Sequence, residues 1–163
     1  MNRRGQSVLE ANVTESNDRF ALHPQLEADC RVLGDWPLCR VLLLNDANYP
    51  WFVLVPRRPN VREIYELSDP DRVQLWDESA ALSRAIMKAF GGYKLNVAAL
   101  GNAVPQLHVH HVVRTQSDPA WPAPVWGKVP PKRYALEEMN ARLRVLRAAV
   151  PAELRGRLAE RLE

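Results

Sequence analysis

The stretch that decides the fold lies at residues 104–114 and reads Val-Pro-Gln-Leu-His-Val-His-His-Val-Val-Arg. After Pro105, which cannot lie inside a central strand, apolar residues alternate with other side chains in the way that is typical of a β-strand. We therefore expect a strand at residues 106–113. Three of the four histidines of the chain belong to it.

The two-residue period of a strand sorts these side chains between two faces. It places Gln106, His108 and His110 on one face and sends His111 to the other. Same-face neighbours are about 6.6 Å apart, so one phosphate can touch two of them. A neutral imidazole is a nucleophile near pH 7, and a second ring can hydrogen-bond a phosphoryl oxygen or the leaving group. The bare pattern also fits a metal site, or a pair of histidines satisfied within a sheet.

Composition favours one domain with a core of its own. The 163 residues are 47% hydrophobic, so the chain needs no disulfide or metal to fold. No apolar run reaches the ~18 residues of a membrane span, and the polar start lacks a signal-peptide core, so we expect a cytoplasmic protein without a membrane partner. Cys30 and Cys39 form no CxxC motif and are expected to be buried thiols. The net charge of +3 favours anionic ligands but indicates no nucleic-acid partner.

The N-terminal region predicts an arm and a short helix. Residues 1–19 are polar and aperiodic, which predicts a flexible N-terminal arm. His23 is expected to be a cap or a surface residue, and Pro24 opens a helix that ends at Gly34. The side chains predicted on one face of this helix are Leu26, Cys30 and Leu33.

Two strands and a long helix follow. Residues 40–44 and 51–55 are apolar strands joined by a turn-rich loop, which predicts an antiparallel hairpin. After a crossing segment whose Ile64, Tyr65 and Leu67 pack inward, Ser68 caps a helix that Gly91 ends. Its predicted apolar stripe contains Val73, Leu75, Trp76, Leu82, Ile86 and Phe90, and its charged residues Asp77, Glu78, Arg84 and Lys88 lie largely elsewhere. A strand at 93–99 precedes the histidine strand.

The C-terminal third begins with a segment rich in proline and tryptophan at 115–133. We interpret it as a structured loop whose indoles cover apolar surface; the alternatives are a lid over the histidine face or an arm between subunits. Leucines and Met139 at helical spacing predict a helix at 134–149, and Pro151 separates it from a shorter one. The residues expected on that shorter helix are Leu154, Leu158 and Leu162.

The histidine stretch resembles a known signature. Gln-φ-His-φ-His, followed by two apolar residues and Arg114 and preceded by Gly-Asn-Ala-Val-Pro, is similar to the signature strand of the histidine triad (HIT) nucleotide hydrolases and transferases. The resemblance implies an α+β, HIT-like fold, in which an antiparallel sheet packs with a long helix and a short N-terminal helix. This chain adds a C-terminal helical extension. The expected organisation is a 1–19 arm, a 20–114 HIT-like domain, the 115–133 loop and C-terminal helices at 134–163, all in one structural domain.

The resemblance also assigns roles to the histidines. In the usual pattern His-φ-His-φ-His, the middle residue is the nucleophile that forms a nucleotidyl-histidine intermediate, and this position is His108. The third position is His110. Two residues depart from the family pattern: Gln106 replaces the first histidine, and Trp51 stands where many members have a histidine in the hairpin. An amide can still orient a ring or a phosphate by donating and accepting hydrogen bonds.

Four further residues match positions that contact the nucleotide in the family. Asn45 corresponds to the residue that often holds the ribose hydroxyls, and Asn96 and Asn102 correspond to amides near ribose and phosphate. Arg114 is predicted either to reach an outer phosphate or to lie at the rim. Ala103 replaces a serine or threonine, so one usual phosphate contact is absent.

The resemblance implies an enzyme that cleaves at the α-phosphate of a purine nucleotide conjugate or a dinucleoside polyphosphate, either a phosphoric anhydride or a phosphoramidate. Catalysis is assigned to His108, His110 and Gln106. The alternative is a nucleotide-binding module with little turnover, which the two replaced histidines favour. The resemblance and the apolar face of the long helix predict a homodimer. No cofactor and no metal are expected, because His111 points away from the histidine pair and no nearby acidic residue completes a site.

Overall fold

The computed structural model describes residues 19–163, so all but the last residue of the predicted 1–19 arm lie outside the described part. Within these residues, five strands and four helices make up the fold, with one 3₁₀ turn at Ile64–Glu66. In chain order they are α1 (Pro24–Asp29), β1 (Cys30–Asp35), β2 (Cys39–Leu44), β3 (Trp51–Pro56), α2 (Asp69–Ala89), β4 (Lys94–Ala98), β5 (Val109–Arg114), α3 (Leu136–Ala149) and α4 (Ala152–Arg155).

The strands form one antiparallel sheet in the order β1-β2-β3-β5-β4. The histidine strand β5 therefore lies between two neighbours, with Val53 of β3 opposite His110 on one side and Ala98 of β4 on the other. This arrangement confirms the predicted α+β, HIT-like fold with its hairpin, long helix and short N-terminal helix.

The predicted helix from Pro24 to Gly34 is wrong in its second half. Helix α1 ends at Asp29, and the chain continues as strand β1, in which Cys30 pairs with Leu44. Long-range pairing with β2 overrides the helical spacing of the apolar residues, which is a common outcome for short apolar runs. The predicted cap is present, because Nδ1 of His23 accepts a hydrogen bond from the main-chain nitrogen of Gln25 at 3.1 Å.

The long helix α2 begins as predicted, with Oγ of Ser68 accepting a hydrogen bond from the main-chain nitrogen of Asp71 at 3.3 Å. Its buried face is narrower than predicted. The side chains of Val73 and Trp76 are 62% and 50% exposed, and Tyr65 in the preceding segment is 77% exposed, so their predicted inward packing is wrong. Glu78, which was expected on the polar face, is instead buried. Only the side of α2 that carries Leu75, Leu82 and Ile86 faces the sheet.

The sheet separates two apolar cores. One lies under α2 and α3 and includes Leu33, Phe52, Leu54 and Val113. The other lies on the histidine face, where α1 and residues of the 115–133 segment cover Val53 and Val112. The covering residues from that segment are Ala120, Val125, Trp126 and Val129. The segment therefore packs as a structured loop on the sheet, as predicted.

The ends of the histidine strand and of the chain differ from expectation. Strand β5 starts at Val109 and not at Gln106, because Leu107 donates its main-chain N–H to Val61 outside the sheet. The second C-terminal helix, α4, ends at Arg155, before two of its three predicted leucines. The tail that follows lies along β1, where a methyl group at Gly34 would overlap the main-chain oxygen of Arg157.

Both cysteines are buried, as predicted. Burial raises the pKa of the Cys30 thiol to about 12 and also raises the pKa of Cys39, so both are neutral thiols at pH 7. Among the helices of residues 19–163, none combines the length and the apolar character that crossing a membrane requires.

Candidate functional site

His108 and His110 lie side by side where β5 begins. Their ring centroids are 4.9 Å apart and their planes meet at 78°. Both side chains are largely buried, at 7% and 8% exposure. The structure thus brings together the two histidines that the strand pattern placed on one face.

The orientation of His108 is set by its own main chain. Its Nδ1 lies 2.7 Å from the carbonyl oxygen of Gln106. A carbonyl oxygen can only accept, so Nδ1 carries a proton, and in the neutral ring the lone pair is then on Nε2. This is the arrangement that a nucleophilic imidazole needs, with the second nitrogen donating to a fixed acceptor.

His110 has the opposite arrangement. Trp51 donates its Nε1–H to Nδ1 of His110 at 2.9 Å. The rings of Trp51 and Trp126 contact the imidazole edge-on, with centroids 5.5 Å and 5.6 Å away. Burial, and then the neighbouring His108 and His111, lower the pKa of His110 to about 3. The ring is therefore neutral at pH 7 and carries its proton on Nε2.

His111 lies on the opposite side of the sheet. Its Nε2 is 2.7 Å from Oγ of Ser79 in α2, and its Nδ1 is 3.1 Å from the carbonyl oxygen of Val109. Burial lowers its pKa to about 4. His111 is fully buried, so it serves packing between α2 and the sheet and lies apart from the histidine pair.

A cavity of about 350 Å³ lies next to the two indoles that contact His110, and neither His108 nor His110 lines it. Trp51 and Trp126 form part of its wall and also contact the ring of His110. Asn45 lines it as well, with its Oδ1 accepting from the main-chain nitrogen of Tyr134 at 2.9 Å. The volume is in the range of small-molecule sites, and the wall combines indoles with a few polar groups. The remaining polar side chains that line the cavity are Asp29, Asp46 and Arg133.

Both the oxygen and the nitrogen of the Gln106 side-chain amide form hydrogen bonds with main-chain groups. Its Oε1 accepts from the main-chain nitrogen of His23 at 2.9 Å, and its Nε2 donates to the carbonyl oxygen of Ala21 at 2.8 Å. The side chain therefore ties the start of the histidine strand to the residues before α1. Its predicted contact with a phosphate stays a prediction. A second, more open cavity of about 400 Å³ lies beside Gln106, with Arg19 and Arg62 in its lining.

Arg114 and Asn96 form a separate cluster. The guanidinium of Arg114 pairs with Asp118 at 2.8 Å and 3.0 Å and donates to Oδ1 of Asn96 at 2.7 Å. Arg114 is buried and lies four residues beyond His110, about 13 Å along the strand. Asn102 is exposed in the loop between β4 and β5. The structure does not bring Arg114 to the histidine pair, and the nucleotide contacts expected of Arg114, Asn96 and Asn102 stay predictions.

Sequence reasoning did not identify two parts of the site. It treated Trp51 as a lost histidine, whereas the indole is a hydrogen-bond donor to His110. It gave Trp126 only a general packing role. The contact of Trp51 depends on the pairing of β3 with β5, in which Trp51 pairs with Val112 and is thus diagonal to His110 on the same face. Residues 19–163 contain no group of three or more histidine, cysteine, aspartate or glutamate side chains placed to hold a metal ion.

Comparisons with known proteins agree with the fold. The HIT domain family matches residues 25–117. A histidine triad protein from Marinobacter aquaeolei is 53% identical, covering 81% of this chain and 96% of its own, with a TM-score of 0.79. Histidine triad proteins from Bradyrhizobium japonicum and Sinorhizobium meliloti are 44% and 37% identical, covering 82% and 80% of this chain and 99% and 97% of theirs, with TM-scores of 0.80 and 0.79. A comparison with curated proteins gave no match. The chain belongs to the HIT domain family.

Proposed function

We propose that this protein is a nucleotidyl hydrolase or transferase that cleaves at the α-phosphate of a purine nucleotide conjugate or a dinucleoside polyphosphate. His108 is the nucleophile in this proposal, and the cavity lined by Trp51 and Trp126 takes the nucleoside. The reaction uses no metal and no cofactor, and the protein acts in the cytoplasm as a homodimer.

The observation that carries the proposal is the hydrogen bond between Nδ1 of His108 and the carbonyl oxygen of Gln106, at 2.7 Å. It leaves a lone pair on Nε2 in a ring that cannot turn away without losing that bond. His110 stands 4.9 Å away, centroid to centroid, and offers an Nε2–H. A nucleophile next to a hydrogen-bond donor is what in-line attack on a phosphorus requires.

The reaction has two steps. The lone pair on Nε2 of His108 attacks the α-phosphorus and forms an N–P bond, while the bond from phosphorus to the leaving group breaks and its electron pair departs with the leaving atom. Water then attacks the phosphorus, the electron pair of the N–P bond returns to Nε2, and the proton from water passes to solvent. The nucleoside monophosphate is released, and His110 hydrogen-bonds a phosphoryl oxygen in both steps.

The test is trapping of the intermediate. The wild type is mixed with an α-labelled purine nucleotide, quenched and denatured, and we expect label on the protein that is labile in acid and stable in base. His108→Ala should lose both the label and turnover but keep nucleotide binding. Gln106→Ala should lower the rate less, because the amide holds main chain at Ala21 and His23. His23→Ala is the control for loss of an imidazole outside β5.

The outcomes separate the two candidate functions. Robust turnover by His108→Ala would exclude this mechanism. If neither the wild type nor His108→Ala turns over any nucleotide while both bind one, the protein is a nucleotide-binding module. The engagement of both ends of the Gln106 amide by main chain is the observation that favours that second function.

A further inference from the structure

Three neighbouring histidines carry their protons on different nitrogens. In His108 and His111, Nδ1 faces a main-chain carbonyl oxygen, that of Gln106 or Val109, and must donate. In His110, Nδ1 faces the Nε1–H of Trp51 at 2.9 Å. An indole N–H can donate but never accept, so Nδ1 of His110 must be the acceptor. The proton of His110 is thereby confined to Nε2.

With histidine in place of tryptophan at position 51, either nitrogen of His110 could carry the proton. A histidine can donate from one nitrogen and accept at the other, so a histidine at position 51 would permit either form of His110. It would also permit a doubly protonated His110, because it can turn a lone pair toward Nδ1. With Trp51 in place, protonation of Nδ1 would set two N–H groups against each other inside a buried cluster.

We propose that Trp51 is a positioning residue that holds His110 as a neutral Nε2–H donor, and that the site consequently favours leaving groups that depart without a proton. The first half concerns the free protein alone. The second half rests on the proposed function and names its substrate class, which is a phosphoric anhydride and not a phosphoramidate.

The two leaving groups differ in what they need from the site. When Nε2 of His108 attacks an anhydride, the P–O bond breaks and the electron pair stays on the oxygen of a phosphate, which is stable as an anion at pH 7. When the same nitrogen attacks a phosphoramidate, the P–N bond breaks and the amine must gain a proton to depart. His110 cannot supply that proton, because giving up its Nε2–H would leave an imidazolate while Nδ1 still faces Trp51.

The surroundings of His110 reinforce this state. The titratable groups that act on it are His108, 4.9 Å away, and His111 on the other side of the sheet. The strand residues on either side of it, Val53 and Ala98, carry no charge. Trp126 contacts the ring as closely as Trp51 does, but its buried Nε1 has no hydrogen-bond partner within residues 19–163. Only one of the two indoles therefore fixes the proton.

The first test needs no substitution. Long-range ¹H–¹⁵N NMR of the histidine rings of the wild type, from pH 5 to pH 8, reports which nitrogen is protonated. We expect Nε2–H at His110 and Nδ1–H at His108 and His111, with His110 unchanged across the range. A proton on Nδ1 of His110, or titration of its ring with a midpoint near the ordinary value of about 6.5, would overturn the proposal.

A matched pair of variants assigns the effect to one indole. Trp51→Phe removes the donor and keeps an aromatic ring, so His110 should then show a mixture of both forms or titrate. Trp126→Phe removes an indole from the same ring of His110 but no hydrogen bond, so the proton should stay on Nε2. Identical spectra for the two variants would contradict the role of Trp51. If Trp51→Phe does not fold, the wild-type spectra still show which nitrogen of His110 carries the proton and whether the ring titrates.

The second test compares leaving groups on one nucleoside, using an adenosine 5′-phosphoryl anhydride and an adenosine 5′-phosphoramidate of an alkylamine. The wild type should prefer the anhydride by about 100-fold or more in kcat, the usual contribution of a general acid. Trp51→His should narrow that ratio at least tenfold, while any change in KM should be the same for both compounds because they share one nucleoside. Equal rates on both compounds in the wild type would overturn the leaving-group half. Absence of turnover with the expected NMR pattern would reject the proposed function and leave the positioning role standing.

Discussion

At the scale of the residue, partners and not sequence spacing decide what each histidine can do. His108 and His110 are two residues apart on one face, yet a carbonyl oxygen fixes one ring as a lone-pair carrier and an indole N–H fixes the other as a donor. His111, the next residue, has a serine as its partner across the sheet. Because each ring has one nitrogen engaged by a fixed group, none needs a charge to be held in place.

Two of these rings should make stability depend on pH. Burial lowers the pKa of His110 to about 3 and of His111 to about 4, whereas both would titrate near about 6.5 when unfolded. The unfolded chain thus binds more protons below pH ~6.5, so this stability is present above that pH and is lost as pH falls toward the folded-state values. From pH 7 to pH 5 we expect a loss of about 2 kcal/mol per histidine.

Urea unfolding at pH 7, 6 and 5 measures this slope. Replacing His111 by Asn should remove about half of it, even though the variant is less stable at pH 7. Replacing the cap residue His23 by Asn serves as the control and should leave the slope in place. A free energy of unfolding that is flat between pH 7 and pH 5 would show that the buried rings are not the source.

At the scale of the element, α2 is joined to the sheet by buried polar contacts as well as by its apolar face. Glu78 accepts hydrogen bonds from the main-chain nitrogens of Leu38 and Cys39 at 2.7 Å and 2.9 Å, which anchors the turn before β2. One residue later, Ser79 bonds His111 of β5. Two neighbouring side chains of one helix thereby fix two different strands, and α2 sets the position of the histidine strand from behind.

Substitution of Ser79 tests this contact. Because Nδ1 of His111 donates to Val109, its Nε2 must accept the Ser79 hydroxyl proton, and Ser79→Ala would leave that nitrogen buried and unsatisfied. We expect a loss of about 1 to 3 kcal/mol in the free energy of unfolding. Ser83→Ala, in the same helix and only partly buried, is the matched control and should change it by a few tenths at most. Equal effects for the two serines would contradict a structural role for the Ser79–His111 bond.

The elements also show what the sequence can and cannot predict here. Continuous apolar runs, the Ser68 cap and turn residues were enough to predict β2, β3 and α2, because these signals are local. Cys30 was placed in a helix because only pairing with Leu44 makes it a strand residue. The same limit applies to Trp76, Glu78 and Trp51, whose exposure or partner depends on how α2 and β3 lie against the rest of the chain.

At the scale of the whole molecule, the two edges of the sheet differ. The tail after α4 covers the β1 edge, where Gly34 bridges to Leu158 and Ala159 donates its N–H to Leu33 at 2.6 Å. The β4 edge has no neighbouring strand within residues 19–163 and carries the exposed side chain of Val97. An open edge strand offers unpaired main-chain groups to another chain. Val73 and Trp76 on α2 add exposed apolar surface that this chain does not bury.

These surfaces lead to the last prediction, a homodimer that joins copies through the β4 edge and α2. Light scattering at micromolar concentration should give twice the 18.5 kDa mass of one chain. Trp76→Glu should weaken association by about 2 kcal/mol or more, the usual effect of removing a tryptophan from the centre of an interface, and so should give a monomer at the same concentration. Leu136→Glu is the matched control, because Leu136 is similarly exposed on α3, and it should leave the dimer intact. A wild type that is monomeric throughout the micromolar range would exclude the dimer, and a dimer that tolerates Trp76→Glu would exclude α2 from its interface.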